Sequence, residues 1–152
     1  MNQATASCPC GKVTLEIKGT PLLRFICHCT ICQRFNSAPY GDAIVYLSAI
    51  VKEPDAESVS FTAYKPPPNV QRGKCIACAS PIVEQLKTPL FPKLTIIPTA
   101  KHEAQADLPA PFAHLFYDQR VAEVNDQIPK HKGFLLSQLA FVKQLIAAKR
   151  EK

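Results

Sequence analysis

No run of about 18 apolar residues occurs in this 152-residue chain, so the sequence predicts no membrane-spanning helix. The polar start, Met1 to Ser7, lacks the apolar core of a secretory signal. The expectation is therefore a cytoplasmic protein, whose thiols stay reduced. Glycine is scarce, with five residues against 14 prolines, a balance that favours short strands and ordered loops over long helices. The sequence contains no GxGxxG, no P-loop, no HExxH and no nucleophile elbow. The commonest nucleotide-binding, zinc-peptidase and serine-hydrolase readings therefore lose their support. No repeat of solenoid length is visible either. The length suits one domain with a real core.

The formal net charge is +6, which raises the question of nucleic acid. Counting thiolates on zinc would lower it, and the basic residues are spread along the chain. The one dense cluster, Lys149-Arg150-Glu151-Lys152, falls where a helix end favours positive charge. Nucleic acid is accordingly not expected as a partner, and the sequence sets no oligomeric state.

What the chain does have is seven cysteines, grouped as Cys8 and Cys10, then Cys27, Cys29 and Cys32, then Cys75 and Cys78. Three thiols in six residues cannot all serve one apolar core, and thiols that close do not favour mutual disulfides. They do suit a soft or borderline metal such as zinc. The two pairs together offer four ligands, enough to close a structural site. The triplet offers three and leaves a coordination position open, as a catalytic zinc requires. An odd total fits this division better than a disulfide framework. One metal with spare thiols, or none, is the alternative.

His28 lies between two thiols. In extended chain its side chain points opposite to theirs, which makes it a packing residue rather than a fourth ligand. His102, His114 and His131 stand isolated in sequence. Arg24 and Arg34 flank the triplet and are candidates for holding a carboxylate of a bound ligand.

The rest reads as mainly β. Val13, Leu15 and Ile17 alternate with polar neighbours, and strands are expected at 22–26, 40–47, 58–64, 81–86 and 94–97, with short ones at 114–117 and 120–124. Gln33–Ala38 reads as a helical turn, Pro66–Asn69 as a stiff loop, and Thr99–Pro111 as a long one. Three segments follow: a disordered 1–7, a zinc-binding domain over 8–130, and an amphipathic helix over 131–152 packed on it. Leu135, Leu139, Val142 and Ile146 would form that helix's apolar face.

Cys8-Pro9-Cys10-Gly11, Cys27-His28-Cys29-Thr30-Ile31-Cys32-Gln33-Arg34 and Cys75-Ile76-Ala77-Cys78, in this order and spacing, resemble the glutathione-dependent formaldehyde-activating enzyme family, also called the centromere protein V/GFA family. The similarity runs from about Cys8 to Pro98 and more loosely to Pro129. The resemblance implies an Mss4-like fold of packed antiparallel sheets. It implies a structural zinc on Cys8, Cys10, Cys75 and Cys78 and a catalytic zinc on Cys27, Cys29 and Cys32. The implied activity is a carbon–sulfur lyase that adds glutathione, as cosubstrate, to formaldehyde. Small-molecule thiol and aldehyde are then the expected partners, with Arg24 or Arg34 on glutathione's carboxylates. Three positions depart from the family's pattern: Ala79-Ser80 follows the last knuckle in place of Gly, Asn36-Ser37-Ala38 replaces a small Gly, and there is no Trp. The competing expectations are a non-enzymatic zinc-stapled module that binds protein or nucleic acid, and a thiol-based metal or redox sensor.

Overall fold

The computed structural model describes residues 2–67 and 69–152, so Pro68 of the expected proline loop lies outside the described residues. Residues 3–7, expected to be disordered, instead form a strand, β1 (Gln3–Ser7), antiparallel to β2 (Thr14–Lys18). The segment carries no large apolar side chain, and that is why its sequence reads as a tail. Its order comes from pairing. Ala6 faces Leu15 across the ladder and is wholly buried. On its other edge the Glu103 amide donates to the Thr5 carbonyl at 3.0 Å. Within β2 the alternation is realised, with Leu15 and Ile17 buried and Thr14, Glu16 and Lys18 exposed.

The main sheet has seven strands among the described residues: β3 (Leu23–Cys27), β4 (Gly41–Leu47), β5 (Val59–Thr62), β6 (Val70–Cys75), β7 (Pro81–Leu86), β8 (Leu94–Pro98) and β9 (His114–Leu115). Their order is β5-β6-β7-β8-β4-β3-β9. Pairing is antiparallel except between β3 and β9. The chain is thus mainly β, with one short helix, α1 (Thr30–Asn36), and a C-terminal helix, α2 (Phe134–Arg150).

The strand period of two gives the sheet two working faces. Ile44 and Tyr46 of β4 pack with the β1–β2 hairpin, together with Cys8 and Cys75. Ala43 and Val45, between and beside them, pack on the opposite face with Leu145 and Ala148 of α2, together with Cys27 and Cys32. Each face therefore carries one group of cysteines.

Two expectations need correction. Residues 120–124 are not a strand. Arg120 pairs with Glu123 at 2.6 Å, and the Tyr117 hydroxyl bonds Glu123 at 2.7 Å, holding this stretch in a loop that leaves Val121 exposed. The helix α2 exists, but Leu135, Leu139 and Ile146 of its expected apolar face are exposed, Leu135 at 68%. Ser137, Leu145 and Ala148 are the buried positions. Apolar residues ring this helix, so period alone does not choose a face. Ser137 helps choose it: its Oγ accepts from the Phe116 amide at 2.8 Å.

Candidate metal centres

Cys8 leaves β1 and Cys75 ends β6, while Cys10 and Cys78 sit on the turns that follow them. The four sulfurs all lie within 4.8 Å of one another, with Cys8–Cys10 at 3.5 Å and Cys10–Cys75 at 3.6 Å. Thiolates bound tetrahedrally at ~2.3 Å sit about 3.8 Å apart, so the donor set fits zinc. The Val13 amide points at Cys8 Sγ from 3.3 Å, an orientation that would stabilise a thiolate. Both knuckles turn through left-handed backbone, at Gly11 (φ 76°) and at Ala79 (φ 57°).

Cys27 ends β3, Cys29 caps the start of α1 and Cys32 lies in its first turn. Their sulfurs also converge within 4.8 Å. Cys29 Sγ accepts from the Cys32 amide at 3.3 Å, so the helix start aims a donor at the cluster. Cys29 is held far below the ordinary thiol range, at about 2, because Cys27 and then Cys32 hydrogen-bond to it. Cys27 and Cys32 are pushed up, by Cys29 and by Cys27 respectively. Three facing thiols can ionise together only beside a compensating cation, and this donor set too fits zinc. The tightness has a backbone cause. Gly41 pairs with Cys27, and a Cβ there would stand 2.8 Å from Asn36 Nδ2 and 3.4 Å from Cys32 Cβ.

His28 is buried and lies outside both sulfur clusters. Its Nε2 meets His114 Nδ1 at 2.8 Å, His114 Nε2 meets Asp126 at 2.9 Å, and Lys130 closes on Asp126 at 2.8 Å. A proton of His114 on Nε2 faces the carboxylate, and with His114 Nδ1 accepting, His28 donates from Nε2. Burial above all lowers the His28 pKa. Lys130, then His114, lowers that of Asp126 to about 2. His114 is thus not isolated: the parallel β3–β9 pairing joins it to the triplet's own segment, and no local sequence signal marks that contact.

The triplet forms part of the wall of a cavity of about 690 Å³ between the sheet and α2. Neither arginine expected to hold a ligand carboxylate lines it. Arg24 instead makes a bidentate pair with Asp42, at 2.8 and 2.7 Å, and Arg34 lies over the Tyr64 ring at 5.2 Å. The charged groups that do line it are Lys65, Arg72 and Glu84. Arg72 and Glu84 are cross-strand partners on β6 and β7, with Nε 3.7 Å from the carboxylate. Glu84 is pushed up to about 7 by burial, against the opposing pull of Arg72. The sequence carried one signal for it, a lone acid after Ile82 and Val83 in an apolar run, and β6 itself was not foreseen as a strand.

Among solved structures, a crystal structure of a Rhodobacter sphaeroides protein is similar in fold, with a TM-score of 0.53 at 18% identity, covering 66% of this chain and 88% of that one. No curated protein matches the chain. The glutathione-dependent formaldehyde-activating enzyme family matches residues 3–119. That range spans all seven cysteines and both centres, and extends beyond the motif region at each end. The chain belongs to the glutathione-dependent formaldehyde-activating enzyme family.

Proposed function

We propose that this protein is a zinc-dependent carbon–sulfur lyase, in which the Cys27–Cys29–Cys32 centre activates a glutathione-like thiol for addition to a small aldehyde or for the reverse release. One observation carries this reading. Four cysteines can satisfy a metal among themselves, whereas the other three converge beside a cavity large enough for two reactants.

Cys27, Cys29 and Cys32 would hold a zinc ion, whose positive charge would lower the pKa of a substrate thiol beside it. The chain's own residues do the remaining work. Cys27 and Cys32 are buried, which keeps the three sulfurs in a fixed geometry. Attack of the substrate sulfur on the carbonyl carbon forms the C–S bond and sends the carbonyl π pair to oxygen. That oxygen then takes one proton, so thiol plus aldehyde gives the hemithioacetal with atoms balanced. Glu84 lines the cavity with a carboxyl that holds a proton near neutrality, and so can give it and take it back.

The test is formaldehyde consumption with and without glutathione, by wild type and by Cys29→Ser. The expected result is thiol-dependent acceleration over the spontaneous reaction in wild type alone. No acceleration by protein that carries two zincs per chain would sink the reading. A non-enzymatic partner-binding role has one observation of its own, the exposed apolar side chains of α2. It predicts a binding surface that Cys29→Ser leaves intact.

A further inference from the structure

The cavity beside the triplet is far larger than formaldehyde requires. Its volume, about 690 Å³, falls in the range of roughly 300–1,000 Å³ that encloses a drug-sized molecule. Its walls are of two kinds. Phe25, Leu86, Leu94, Ile96, Phe141 and Leu145, from β3, β7, β8 and α2, present hydrocarbon. Lys65, Arg72, Glu84 and Thr88 supply polar groups. Among the described residues, the buried Thr88 Oγ1 lacks a hydrogen-bond partner, and Arg72 Nε, also without one, faces the Glu84 carboxylate at 3.7 Å; all three residues line this cavity. The positive charge of Lys65 and Arg72 and the Thr88 hydroxyl favour a ligand with an anionic, oxygen-bearing end. The hydrocarbon wall points to a ligand that brings an apolar body as well, because burying glutathione's charges against it would leave them unsolvated.

Taking this cavity as the thiol–aldehyde site, as above, we propose that its aldehyde substrate is hydrophobic, a medium-chain alkyl or aryl aldehyde rather than formaldehyde alone. The thiol's polar end lies toward Arg72, Thr88 and Lys65. The aldehyde's carbon chain lies along Phe141, Leu145 and the strands that face them. The bond made is the same C–S bond, so no further reactant is needed.

S-alkylglutathiones are stable thioether mimics of the adduct and give a readout independent of turnover. Calorimetric titration of the zinc-loaded full chain with S-methyl- and S-hexylglutathione measures the worth of five extra carbons. Each buried methylene contributes about fourfold, so burial of only two gives roughly fifteenfold tighter binding of the hexyl compound. Phe141→Ala should cut that ratio several-fold. Phe134→Ser should cut it too, at a cavity-lining position 61% exposed and therefore safe for folding. A ratio near one in wild type, or a ratio unmoved in both variants, overturns the proposal. In parallel, hexanal and formaldehyde are compared as substrates with glutathione. Fast formaldehyde turnover with a flat alkyl ratio defeats this inference and leaves the lyase reading standing. No turnover of either aldehyde, with a ratio above ten, defeats the lyase reading and leaves the cavity's preference standing.

Discussion

The two cysteine groups use the same ligand chemistry on opposite faces of one sheet, and they differ in what surrounds them. The four-sulfur group joins the turn after β1 to the end of β6, so it staples segments more than sixty residues apart. Two of its cysteines face solvent, and none of its four lines the 690 Å³ cavity. The three-sulfur group is local, built from the end of β3 and the first turn of α1, and it opens on the cavity. A closed set of ligands far apart in sequence holds a fold together. An open set close in sequence, held rigid by strand and helix, can leave a position for substrate.

The sharpest way to break this comparison is to remove one sulfur from each. Cys75→Ser should abolish cooperative folding. Zinc binding in small structural sites contributes about 10–16 kcal/mol, as much as the whole stability of a domain. Cys29→Ser should keep a cooperative melt while zinc falls from two per chain to one and activity falls to background. Metal analysis and thermal circular dichroism check both. A stable, well-folded Cys75→Ser protein would erase the distinction.

A smaller effect concerns the cavity side alone. Glu84 rises from its ordinary 4.5 to about 7 on folding. Its contribution is therefore fully present below pH 4.5 and is lost as pH rises through 7. The loss amounts to up to about 3 kcal/mol. Denaturant melts of wild type between pH 5 and 8 should show this slope, and Glu84→Gln should flatten it. The slope is the diagnostic quantity, because the substitution also leaves Arg72 without its counter-charge.

His114→Ala tests whether the triplet's rear support matters. It leaves the His28 ring proton unpaired in a buried site, at a cost of about 1–3 kcal/mol. A melt unchanged by the substitution would mean that water replaces the lost partner. The smallest expected effect is a gain. Ala79 sits at φ 57°, where the family's usual Gly carries no steric penalty. Ala79→Gly should stabilise the four-sulfur side by roughly 0.5–1 kcal/mol, read as a higher melting temperature. Ser37, at φ 47°, lies within the Asn36–Ala38 stretch that stands in place of the other glycine. Both stretches thus contain a left-handed residue that glycine would relieve.

How much of this was readable beforehand varies with distance along the chain. The alternation in Thr14–Lys18 and the run at Leu94–Ile97 marked strands because neighbouring residues alone set that pattern. β1 was missed because Gln-Ala-Thr-Ala-Ser has little to bury, and its order is borrowed from β2 and from Glu103. Arg24 sat near the triplet in sequence. Its strand faces Asp42, however, and the ion pair takes it away from the cavity. Arg72, distant from the triplet in sequence, lines the cavity instead.

By itself the sequence determined the number and grouping of the thiols, and with them the four-plus-three division. Metal-ligand spacing is a local property, set by a few bonds and a tight turn. Only the tertiary structure decided that Cys8 and Cys10 meet Cys75 and Cys78, and that His114 backs His28. It also decided that Ser137, Leu145 and Ala148, rather than Leu135 and Leu139, turn inward on α2. Those outcomes depend on strand register and on which faces find partners, and residues far apart in the chain settle them together.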